Sequence, residues 1–151
     1  MVAGNVFIFS LFWVGMLIDK PILIKRSETN RVKTSSGEFL EYISWKQNKE
    51  LGVGIGVHKF RFPKVGFLVN KKSDEVVVLL KGAGEVVIKI EDSEKKFVLE
   101  KEAVMFIPKK TEFYFNPQPE MEILSATSPA WNPKQQSGLD YRRSESGRMI
   151  L

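Results

Sequence analysis

Two side chains of opposite charge, Lys71 and Glu75, lie four residues apart in the segment VNKKSDEVVVLLKG. An ammonium group and a carboxylate at this spacing can transfer protons or position a polar ligand if both point into a cleft. Burial would raise the pKa of the glutamate, and a lysine beside it would lower that pKa. The alternative is a solvated salt bridge at a strand start for Glu75, and a solvated turn for Lys71. The sequence leaves both interpretations open.

Cysteine is absent from the chain, and His58 is its single histidine. Disulfides and thiolate metal sites are therefore excluded. Sites for zinc, iron, manganese or copper would lack their commonest ligand. We predict no bound metal and no cofactor. For His58 the sequence favours a half-buried or surface side chain over an acid/base role.

The charge of the chain is positive but evenly spread. Lys and Arg number 23 against 18 Asp and Glu, which gives a formal net charge of +5. The basic residues are interleaved with acidic ones, and no aromatic platform accompanies them. We therefore predict that the protein does not bind nucleic acid.

Residues 6–18 form an apolar run, VFIFSLFWVGMLI, that is shorter than the roughly 20 residues needed to cross a bilayer. We predict no membrane span and a cytoplasmic location. Three interpretations of the run stay open: translation beginning at Met16, a strand or interface segment, and a weak secretion signal or anchor.

The rest of the chain consists of short β-branched and aromatic runs separated by Gly, Pro, Asp, Ser and Lys clusters, which is typical of all-β proteins. The spacing of about eight to twelve residues indicates a sandwich or barrel. In residues 53–57 glycine alternates with aliphatic residues, as where two backbones approach closely. A tight turn is predicted at Gly82, Ala83 and Gly84. Strands are expected at residues 39–45, 53–62, 75–80, 86–90, 97–99, 104–107, 112–115 and 121–126.

Two spacings connect these strands to a known family. Glu75 and Gly82 have six residues between them, and Pro108 begins the stretch PKKTEFYFNP. The two spacings resemble the two motifs of the cupin family, and within it the small mannose-6-phosphate-isomerase-like type. Members of this family fold as a jelly-roll barrel, also called a double-stranded β-helix. The resemblance implies that the family's metal-binding histidines correspond here to Val69, Lys71 and Phe113. Of the four family ligands, Glu75 alone keeps its type.

Composition predicts an apolar extension at residues 1–18 and a poorly ordered polar tail at 134–151, and the resemblance implies an all-β, cupin-type barrel over residues 19–133. It also implies a homodimer. The predicted function is a metal-free protein that binds a small polar or carbohydrate-like ligand, or that has a structural role. Two alternatives are a sugar isomerase or epimerase using Glu75 and Lys71, and a protein-interaction module. The predicted pocket contains Val69, Lys71, Glu75, Met105, Ile107, Phe113 and Phe115, although core packing is the simpler role for the apolar members.

Overall fold

A computed structural model describes residues 17–137, 142–143 and 149–150 of the chain. The predicted apolar extension therefore lies almost wholly outside the described residues, as does most of the polar tail. Two short 3-10 helices occur, at Arg26–Glu28 and Pro133–Gln135. The strands described are β1 (Asn30–Lys33), β2 (Gly37–Ile43), β3 (Gly52–His58), β4 (Leu68–Asn70), β5 (Asp74–Ile90), β6 (Ser93–Val98), β7 (Val104–Ile107), β8 (Glu112–Ser128), β9 (Gln136–Ser137), β10 (Arg142–Arg143) and β11 (Met149–Ile150).

The strands β1 to β9 form one antiparallel sheet that curves around a common interior. Along one path the order is β1-β2-β3-β8-β4-β9, and β5 joins β8 as well as β6 and β7. Strands β10 and β11 pair only with each other. The all-β prediction is confirmed. Within the part of the chain described, no helix is long and apolar enough to cross a membrane.

The strands β5 and β8 are long and pair along most of their length, from Asp74 opposite Ser128 to Ile88 opposite Phe113. The sequence predicted two separate strands in each place, with a tight turn at residues 82–84, and this prediction is wrong. Instead the register shifts between Leu79 and Lys81 and again between Gly82 and Gly84, so that the strand bends and continues. Gly82 takes φ +80°, where a side chain would be strained.

The main apolar core lies inside the curved sheet. Phe113 and Ile107 are each 1% exposed, and the rings of Phe113 and Phe115 meet edge to face with centroids 5.5 Å apart. Met105 is partly buried and packs against this cluster. The other members of the core are Phe62, Leu68, Val77, Leu79, Val86, Ile88, Leu99, Met121 and Ile123.

A second, smaller cluster lies on the opposite face of β2 and β3. It contains Leu40, Ile55 and Val57, with Tyr42 packed against them. Side chains alternate between the two faces of a strand. Ile55 and Val57 therefore face this outer cluster, and the residues between them face the interior of the barrel. On β3 those interior positions are glycines.

Candidate functional site

A cavity of about 90 Å³ lies within the barrel, and strands β2, β3 and β8 supply most of its wall. A single water needs roughly 10 to 15 Å³ on the same measure, so the space can hold several waters or a small organic molecule. The lining combines aromatic and aliphatic side chains with a few polar groups. This mixture is typical of small-molecule sites.

The glycines of β3 create this space. Gly52, Gly54 and Gly56 all line the cavity, at every second position of the strand. A Cβ atom on Gly54 would overlap the ring of Phe39, and one on Gly56 would lie 2.6 Å from Nε2 of His58. Side chains at these positions would therefore collide with groups that already form the wall. The cavity depends on their absence.

Glu75 lies on the cavity wall near the start of β5 and is 7% exposed. Asn70 Nδ2 donates a hydrogen bond of 2.7 Å to its Oε2, and Ser125 Oγ donates one of 2.5 Å to its Oε1. Burial raises the pKa of the carboxyl above its usual value, and the two hydrogen bonds oppose that change. The side chain is thus fixed in one orientation beside the cavity.

His58, at the end of β3, is buried at 4% exposure and lines the same cavity. Its ring stacks on the rings of both Phe62 and Phe115, with centroid distances of 5.2 and 5.1 Å. Burial lowers its pKa from 6.5 to about 4, so the ring is neutral at pH 7. The prediction of a half-buried or surface histidine is wrong, because Phe62 and the sequence-distant Phe115 both stack on the ring and the side chain is buried.

The hydrogen bonds around Ser36 assign the tautomer of His58. The Ser36 hydroxyl donates to the carbonyl oxygen of Phe60, and its oxygen accepts the backbone N–H of Phe60 at 3.3 Å. Nδ1 of His58 lies 3.1 Å from the same oxygen and must be the donor in that contact. In a neutral imidazole Nε2 then carries the lone pair. Nε2 is the ring atom nearest to Gly56, so the free acceptor faces the cavity side of β3.

Three further polar groups line the cavity, on Glu41, Thr127 and Trp131. Burial raises the pKa of Glu41, and hydrogen bonding from Asn30 opposes that rise. Thr127 Oγ1 accepts the backbone N–H of Trp131 at 2.9 Å. The indole Nε1 of Trp131 is buried and has no hydrogen-bond partner among the described residues. The cavity wall therefore also carries a second carboxyl group, a hydroxyl group and an indole ring.

The structure separates the predicted site residues into three groups. Glu75 and Phe115 line the cavity, whereas Phe113, Ile107 and Met105 belong to the core beside it. Val69 is half-buried on β4, opposite Glu112. The side chain of Lys71 is exposed, and the hydrogen bonds described for the Glu75 carboxyl come from Asn70 and Ser125 instead.

His58, Glu41 and the three glycines were not predicted as site residues. The one sequence signal for them was the alternation of glycine and aliphatic residues in residues 53–57. That signal indicated a close approach of backbones, and it gave no indication of a cavity.

A metal of the kind that cupin barrels bind does not fit these residues. No group of three His, Cys, Asp or Glu side chains within the described ranges is arranged to hold a metal ion. Both oxygens of Glu75 accept hydrogen bonds, and Nδ1 of His58 is occupied by Ser36. One imidazole nitrogen and carboxyl groups of raised pKa make a poor donor set for a transition metal.

Neither a protein-family model nor a curated protein sequence matches the chain. Solved structures do match its fold. A variant of Streptomyces PAC13 with uridine superposes with a TM-score of 0.65 at 14% identity, covering 87% of this chain and 94% of that chain. Pac13 is described as a nucleoside dehydratase. A protein from Planctomyces limnophilus gives a TM-score of 0.63 at 18% identity, covering 78% and 96% of the two chains. Hydroxypropylphosphonic acid epoxidase from S. wedmorenis gives 0.61 at 15% identity, covering 73% and 60%.

At these identities the likeness shows the fold. The chain is an all-β protein with a cupin-type barrel, as its motif spacing predicted. The site within that barrel contains a buried glutamate, a neutral histidine and a row of glycines around a small, partly polar cavity.

Proposed function

We propose that the protein binds a small, polar, ring-shaped ligand, of the carbohydrate or nucleoside kind, in the barrel cavity. One observation carries the proposal: the Glu75 carboxyl is buried on the cavity wall and held there by Asn70 and Ser125. Burying an ionisable group is unfavourable, and buried carboxyl groups with raised pKa values occur preferentially at functional sites. A purely structural barrel would place an apolar side chain here.

Two features of the wall support a ring-shaped ligand. Phe39, Phe115 and Trp131 present apolar or aromatic surface, and Ser125 and Thr127 place hydroxyl groups on the same face of β8. Flat faces beside a few fixed polar groups suit a sugar or a heterocycle. The uridine seen with Streptomyces PAC13 lends support, because that protein shares the fold.

The single histidine makes the proposal easy to test, because His58 gives the only imidazole signals in an NMR spectrum. Uracil, uridine, glucose and mannose should be titrated separately into protein labelled at histidine. At least one of them should shift the His58 signals in a saturable manner, and Glu75→Gln should weaken that binding at least about tenfold. Glu100→Gln, an exposed position, is the matched control and should bind normally. Unchanged His58 signals throughout the panel, with no small molecule retained in native mass spectrometry, would contradict the proposal.

A second candidate is a metal-independent isomerase or epimerase. The observation that favours it is that Glu75 and His58 line the same cavity. Burial raises the pKa of Glu75 and lowers the pKa of His58. Pairs of titratable groups with displaced pKa values are suited to acid/base catalysis. Since Lys71 is exposed, His58 replaces the lysine as the second acid/base group in this candidate function. Exchange of substrate carbon-bound hydrogen in deuterated water, lost in Glu75→Gln, is the test.

We also propose that the chain forms a homodimer. Val104 and Phe106 on β7 are 67% and 58% exposed. They pair with Val78 and Val76 of β5, which places four apolar residues next to one another on the outside of the sheet. Such a patch suits a protein interface. If the protein is instead an interaction module, it would use the same surface. The mannose-6-phosphate-isomerase-like type and the cytoplasmic location stay predictions.

A further inference from the structure

The charge of the cavity wall differs from that of the whole chain. The protein carries 23 Lys and Arg residues, yet none of them is among the described residues that line the cavity. Its ionisable lining residues are Glu41, Glu75 and His58. The cation that acts on Glu41 is Lys46, which is exposed and outside the lining.

An anionic ligand would therefore find no positive charge in this cavity. Phosphate and carboxylate groups are normally bound by Arg, Lys, a metal or a helix N-terminus. Here an anion would lose its hydration and lie beside two carboxyl groups. Protonation of Glu41 and Glu75 would remove the repulsion without supplying an attraction.

The His58 ring adds a hydrogen-bonding requirement. Because Nδ1 donates to Ser36, Nε2 is an acceptor without a partner among the described residues. A ligand in van der Waals contact with this edge must offer an O–H or N–H group, since otherwise the acceptor would be buried without a hydrogen bond.

We propose that the cavity selects an uncharged ligand that donates a hydrogen bond to Nε2 of His58, and that it rejects the anionic counterpart of the same ligand. This inference rests on the proposed function and narrows it to neutral sugars or unphosphorylated heterocycles. It also argues against a sugar phosphate as the ligand.

The test compares probes of nearly equal shape and different charge: uracil with orotate, and glucose with glucuronate. Affinities should be measured at pH 7.5 by titration of the His58 signals and by calorimetry. In whichever pair binds, the neutral probe should have an affinity at least about tenfold higher than the anionic probe. Equal or tighter binding of the anionic member would overturn the inference while leaving the proposed function intact. Binding of none of the four probes would contradict the proposed function and the inference with it.

Two variants of His58 examine the hydrogen bond separately. His58→Phe keeps a ring that can stack on Phe62 and Phe115 but has no acceptor, whereas His58→Gln supplies an amide oxygen. The phenylalanine variant should bind the neutral probe about tenfold or more weakly, and the glutamine variant should recover part of that loss. Thermal unfolding of both variants checks that they are folded. Unchanged affinity in folded His58→Phe would overturn the assignment of His58 as the acceptor.

Discussion

The chemical character of His58 is set by its surroundings. Phe62 and Phe115 both stack on the ring, and Nδ1 donates a hydrogen bond to Ser36. Phe62 is close to His58 in the sequence, but Phe115 belongs to β8, and sequence periodicity does not reveal that it packs on the histidine. The sequence identified the residue as the single histidine and could not show its burial.

His58 should titrate with a pKa of about 4. Because this value lies below that of the unfolded chain, the unfolded state takes up a proton first as the pH falls. Stability from this group is complete above about pH 6.5 and is lost between there and about pH 4. When the pH falls from 7 to 4.5, the unfolding free energy of the wild-type protein should therefore decrease because of His58, and His58→Phe should be spared this decrease. The difference between the two proteins should be roughly 2 to 3 kcal/mol. Urea unfolding and an imidazole NMR titration measure both quantities, and titration near pH 6.5 would contradict the burial.

Glu75 should show the opposite pH dependence. Burial raises the pKa of the folded state above 4.5, so the stability from this group is complete below about pH 4.5 and is lost as the pH rises through the raised value. Glutamine does not titrate and can keep both hydrogen bonds if the Ser125 hydroxyl turns to accept. The stability of Glu75→Gln relative to wild type should therefore increase from pH 5 to pH 8. Urea unfolding at both values tests this, and the exposed variant Glu100→Gln should show no such change.

Phe113 should behave as a core residue. It is 1% exposed and lies in the main cluster. Truncation of Phe113 to alanine should lower the unfolding free energy by about 3 to 5 kcal/mol through lost burial and a new void. Phe60→Ala, at a position 68% exposed and outside the proposed dimer patch, is the control and should cost less than about 1 kcal/mol. A small effect at Phe113 would show that its burial is wrong.

At the scale of elements, β3 has two different faces. Ile55 and Val57 pack in the outer cluster, while Gly54 and Gly56 leave room for Phe39 and His58 inside. Inserting a methyl group at Gly54 should therefore displace the Phe39 ring.

Gly54→Ala should lower the unfolding free energy by about 1 to 3 kcal/mol. Its φ angle is not in the left-handed region, so the expected cost is steric. In a Phe39→Ala background the same substitution should cost much less, with a coupling energy of about 1 kcal/mol or more in a double-mutant cycle. Equal costs in both backgrounds would mean that the ring and the methyl group do not compete for space.

Strand type was easier to predict than strand continuity. The run VMFI at residues 104–107 was predicted as a strand and is β7, and the alternation after Gly37 marks β2. Residues 82–84 and the Pro117–Pro119 region carry the residues of turns, yet β5 and β8 pass through both. Gly84 pairs opposite Pro117, so the two irregular stretches meet and bend together. That compensation is a contact between distant segments, which local sequence patterns do not contain.

At the scale of the whole molecule, the outer face of β5 and β7 carries an apolar patch, which is where we propose that a second copy binds. Val76, Val78, Val104 and Phe106 lie side by side there, with the β7 residues more than half exposed. A second copy of the chain would cover apolar area that otherwise contacts water.

Native mass spectrometry and light scattering should find a dimer for the wild-type chain. A charge at the centre of the patch, in Phe106→Glu, should shift it to monomer because burial of a lone carboxylate is unfavourable. Leu23→Glu is the control: Leu23 is 81% exposed in the segment before β1, and this change should leave the dimer intact. A monomeric wild-type protein would refute the homodimer.

The glycines of β3 also have an evolutionary consequence. Every glycine codon becomes an alanine codon by one base change, so the cavity that Gly52, Gly54 and Gly56 leave open can be reduced stepwise by single point mutations. Related barrels can therefore exchange one ligand for a smaller one, or lose the ligand altogether, without any change in topology. The specificity of such a protein can diverge faster than its fold.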